Sequence, residues 1–117
     1  MKDVTWVTVD PGICGFPCVI QVRKDDTRTV SIEISGSECK QIKNLAGQLK
    51  RMTMQELFLP VSKNPALLLA QKSGCHPSCP VPVAVLKAVE VGMEMALPRQ
   101  VRITFDESNE KSYPENK

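Results

Sequence analysis

The sequence predicts an α+β domain: a mostly antiparallel four-stranded sheet with helices packed on one face, its elements in the order βββαααα β. Three observations carry that prediction. Short runs rich in β-branched residues occupy the first 35 positions, where Val4, Trp6, Val19, Ile20, Val30, Ile32 and Ile34 fall in stretches bounded by polar or Gly/Pro turns. From Ser37 the apolar spacing changes to steps of three and four, the period of a helix. Late in the chain Val101, Ile103 and Phe105 alternate with Arg102 and Thr104, which returns the pattern to that of a strand.

Each element follows from its own residues. Val4 to Val9 form a first strand that stops at Asp10-Pro11-Gly12, and Ile13 to Cys18 make a turn-rich loop. Val19 to Arg23 form a second strand, closed by Lys24-Asp25-Asp26-Thr27; the shortness of that turn makes the second and third strands an antiparallel hairpin. In the first helix Cys39, Ile42, Leu45, Ala46, Leu49 and Met52 share one side, with Ser35 or Ser37 as cap and Glu38 at the positive end. Thr53-Met54-Gln55-Glu56 is a capping box opening a short helix that Pro60 ends. Asn64-Pro65 starts the next helix and Gly74 stops it. Val81 to Leu97, apolar over a wide arc with Lys87, Glu90 and Glu94 as a solvent stripe, is the central buried helix, and Pro98 ends it. Residues 1–106 are read as one domain and residues 107–117 as a polar, disordered tail.

Composition excludes several classes. A formal charge of +2 without clusters, and only five aromatic residues, lack the basic stripe and stacking rings of a nucleic-acid binder. No stretch reaches the ~18 apolar residues of a membrane span, and the start of the chain lacks the apolar core of a secretory signal. A cytoplasmic setting is therefore expected, with a protein partner rather than a membrane or nucleic acid. Phosphate-cradling and dinucleotide-binding glycine motifs are missing as well.

Chemistry is concentrated in sulfur. Five cysteines in a small domain from a reducing compartment call for metal binding or thiol chemistry. Cys14/Cys18 and Cys75/Cys79 are two C-x3-C pairs about sixty residues apart. Together they supply the four thiolates that zinc or an iron–sulfur cluster requires, with Cys39 and His76 as alternate ligands. Cys39 lies on an apolar helix face, where a thiol commonly packs as a small hydrophobe. If the last strand runs parallel to the third, all five cysteines gather at one end of the sheet, among strand ends and helix N-termini. Free N–H groups there favour thiolate or a negatively charged cluster. A disulfide between the pairs would serve as a redox switch. A Cys75–His76 nucleophilic pair is disfavoured, because neighbours in sequence rarely face each other.

Two resemblances add to this. Cys79-Pro80-Val81-Pro82 resembles the C-P-x-P motif of TusA-like sulfur carrier proteins, over roughly Cys79 to Phe105. That resemblance implies a catalytic role for Cys79 as the persulfide-bearing thiol at a helix start. Taken whole, with Cys14-Gly15-Phe16 and His76-Pro77-Ser78-Cys79-Pro80-Val81-Pro82, the chain resembles a small uncharacterised family of cysteine-bearing domains from anaerobic microbes. That grouping implies no activity. Three functions follow: a domain holding zinc or an iron–sulfur cluster, a sulfur carrier using Cys79, and an interaction domain with packed cysteines.

Overall fold

The computed structural model describes residues 4–106. β1 (Val4–Val9), β2 (Cys18–Asp26) and β3 (Thr29–Ser35) form an antiparallel meander, with Val7 opposite Ile20 and Ile20 opposite Ile34. Alternation along β2 decides which face is covered. Cys18, Ile20 and Val22 are buried, while Arg23 is exposed. The helices occupy the buried face, and Trp6 stands 65% exposed on the other.

The α+β class and the four-stranded antiparallel sheet, in the order β1-β2-β3-β4, are present. The fourth strand lies elsewhere than Val101–Phe105, whose residues form no strand and are exposed. β4 is Arg51–Thr53, between α1 (Lys40–Gln48) and α2 (Met54–Leu57), and it pairs with Thr29–Ser31. A burial rhythm common to helix and strand explains the difference. Leu49 and Met52 are both buried, as the helical reading required, but Met52 reaches the core from a strand opposite Val30. The backbone turns at Leu49, and the Lys50 carbonyl accepts the Ile32 N–H at 2.8 Å.

Beyond β4, Thr53 and Glu56 complete the expected capping box, with bonds of 3.1 and 2.9 Å. A 3-10 turn (Val61–Lys63) leads to α3 (Pro65–Lys72), and α4 spans Val81–Gly92. α4 packs on β1 and β2, α1 on β3, and α3 on both helices. α4 is shorter than its apolar run because a Schellman turn ends it. Met95 N–H donates to the Glu90 carbonyl and Glu94 N–H to that of Val91, with Glu94 left-handed at φ 63°. Lys24 pairs with Glu94 at 3.6 Å, fixing the C-terminus of α4 beside the hairpin end of β2. The N-terminus of α4 therefore lies toward the opposite end of the sheet, where β1 finishes, β2 begins and β3 finishes. The expected polar tail, 107–117, falls outside the described residues.

Candidate thiol site

Each cysteine at that end of the sheet is held by a local rule of chain geometry. Cys18 opens β2 opposite Val9, on the core face and only 2% exposed. Cys39 stands at the entrance of α1: its N–H donates to Ser37 Oγ at 3.0 Å and its carbonyl accepts the Lys43 N–H at 2.9 Å. Its thiol donates to Gln41 Oε1 at 3.2 Å. Cys75 is placed by the Schellman turn that ends α3, in which Gly74 takes φ 83°. There Cys75 N–H donates to the Ala70 carbonyl and Gly74 N–H to that of Gln71. Gly74 lies against α1, since a Cβ on it would sit 3.6 Å from Gln41 Cγ. Gln41 therefore borders both the Cys39 thiol and the turn that carries Cys75.

Cys79 closes a turn on the His76 carbonyl, 3.0 Å from its N–H, immediately before α4. Pro80 and Pro82 occupy the first positions there, where a missing N–H costs no helical bond. Val81 N–H instead donates to the Cys79 sulfur. Cys14 is exposed on the β1–β2 loop, in a turn closed by Gly15 N–H on the Gly12 carbonyl at 2.9 Å.

The sulfurs act on one another. Burial pushes the Cys18 thiol up from 9.0 to about 11, and the charges of Cys79 and Cys39 add to the shift. Burial raises Cys75, again with help from Cys79 and Cys39. Cys79 is raised by burial, opposed by the Val81 N–H, then raised further by Cys14 and Cys39. Cys14, Cys39 and Cys79 are thus the sulfurs felt at the raised thiols of Cys18, Cys75 and Cys79. The route to the expected convergence differs, because the turns flanking α3 and α4 replace the missing final strand in setting it.

The expected ligand cage is not preformed among the described residues. Among the described residues, no three His, Cys, Asp or Glu side chains stand in a geometry that would hold a metal ion. All five cysteines are free thiols, so the disulfide reading has no bond behind it. His76 is exposed and contributes its carbonyl to the Cys79 turn. Cys39, expected mainly to pack, acts on Cys18, Cys75 and Cys79 together, whereas Cys14 sits at the rim. Gln41 escaped sequence reasoning altogether: it lies on the polar side of α1, and nothing in its spacing marks it.

The chain belongs to the family of unknown function DUF6951. The family model matches residues 5–105, a span that holds every cysteine and both motif segments. No curated protein and no solved structure matches the chain.

Proposed function

We propose that this domain binds a soft metal, zinc or an iron–sulfur cluster, through the thiolates of Cys18, Cys39, Cys75 and Cys79, with Cys14 at the rim. The observation that carries the reading is the placement of four cysteines toward one end of the sheet, at the start of β2, the entrance of α1, the exit of α3 and the entrance of α4. Thiolates drawn together there would need a positive charge between them. A metal ion supplies that charge, displaces the protons and draws the sulfurs to ligand distance, about 2.3 Å for zinc. Binding then closes a site that is loosely gathered beforehand.

The sulfur-carrier reading keeps one specific support, the Val81 N–H donated to the Cys79 sulfur at the start of α4. It meets an opposing fact. A persulfide acceptor works as a thiolate near neutral pH, and the net shift of Cys79 is upward. Metal binding turns the same surroundings to use, since a cation lowers every neighbouring thiol at once.

Elemental analysis and visible absorption of anaerobically purified protein test the proposal. The expected result is stoichiometric zinc in a colourless protein, or iron and sulfide in a brown one. Cys39→Ala should lose most of the metal and Cys14→Ala little. A metal-free protein that takes up neither zinc nor a reconstituted cluster would overturn it. If that protein gained one sulfur from a persulfide donor, and Cys79→Ala did not, the carrier reading would take its place.

A further inference from the structure

Residues 101–105 have the pattern of a strand and none of its bonds. Val101, Ile103 and Phe105 are 59%, 81% and 90% exposed, although β-branched and aromatic side chains in alternation are those that pack best in a sheet. The family model runs through Phe105, so the stretch falls within what the family shares. The Schellman turn at Glu94, tied to Lys24, steers the chain out of α4, and Pro98 keeps it from resuming a helix.

A matching vacancy lies at the edge of the sheet. β1 is an edge strand, and no described strand pairs with its outer side. Natural edge strands are commonly guarded by charge, proline or shortness. β1 has none of these guards: its six residues, Val4-Thr5-Trp6-Val7-Thr8-Val9, are uncharged and proline-free. The opposite edge is guarded, since β4 has three residues, begins with the exposed Arg51 and runs straight into α2. A five-residue strand spans about 17 Å, close to the length of β1.

We propose that Val101–Phe105 of one chain adds to the outer edge of β1 in a second copy, giving a dimer by reciprocal strand exchange. The partner is a second copy because Val101–Phe105 form no strand with β1 of their own chain, while each molecule offers both donor and acceptor. The main-chain N–H and C=O groups of β1 then gain partners, as when an extended peptide adds to a sheet edge. Val101, Ile103 and Phe105 fall on one face of the added strand, and Arg102 and Thr104 on the other. Seated with its apolar side toward the helices, the strand extends the core past Val7 and Val9.

Light scattering and hydrogen exchange on the full chain test the proposal together. The wild type should have twice the monomer mass, with slow amide exchange in Val101–Phe105 and along β1. Ile103→Pro removes a donor N–H at a position whose side chain makes no core contact within the chain. It should halve the mass and release those amides while leaving circular dichroism and the melting transition of the monomer intact. A wild type that is monomeric at every concentration would overturn the proposal, whether its amides exchange freely or are protected by pairing within one chain. A dimer that survives Ile103→Pro would overturn it equally.

Discussion

At the residue scale, Cys18 and Asn64 show how much depends on single side chains. The Cys18 thiol titrates at about 11 in the folded chain against 9.0 when free of it. A raised acidic group favours the fold while it is uncharged. Its contribution is therefore complete below about pH 9 and lost as the pH climbs toward 11. Metal-free protein should lose stability over that window in urea titrations, and Cys18→Ala should flatten the loss. Bound metal reverses the sign, because thiolates are then required and acid competes for them. Asn64, 2% exposed, donates Nδ2 to the carbonyls of Glu56, Leu57 and Leu59, and its Oδ1 accepts the Ala66 N–H. Asn64→Ala removes a helix cap and takes the donor from the buried Leu57 carbonyl, a cost of about 1–3 kcal/mol that chemical denaturation would measure. Its capping role was legible from Asn64-Pro65. Its clamp on the preceding loop was not, because no spacing rule reports bonds to backbone that is itself irregular.

At the scale of elements, the close approach of α4 to the sheet rests on Gly92. A Cβ there would lie 2.6 Å from Cγ1 of the fully buried Val22. Neither backbone can retreat without opening the core, so Gly92→Ala should destabilise by about 1–3 kcal/mol in equilibrium unfolding. The same mutation at an open helix position would be neutral or helpful. The sequence hinted at none of this, since a glycine inside an apolar run looks only like a weak helix residue. Local signals are legible where they are chemically specific: the Thr53 capping box, the Asn64-Pro65 start, Gly74 as a stop. Length is poorly legible where an apolar period outlives its helix. Met52 passes to β4, and Met95 and Leu97 lie beyond the turn at Glu94, exposed. Periodicity records burial, and burial is compatible with more than one backbone.

At the scale of the whole molecule, the cysteines come toward one end of the sheet because the meander and the helices share one polarity. β1 delivers the chain to the end where β2 starts; β3 returns it there to enter α1; the turns around α3 and α4 bring it back once more. Sequence order alone suggested this gathering, although it assigned the last step to a strand that residues 101–105 do not form. Which sulfurs face inward was beyond it, because Cys14 and Cys39 exchange roles through loop geometry and a helix entrance rather than through spacing. The measurement that bears most directly on the outcome is the metal content of the full chain purified without oxygen. The account predicts stoichiometric zinc or iron, lost on Cys39→Ala and retained on Cys14→Ala. Protein that stays free of both metals, even when they are offered, would contradict it.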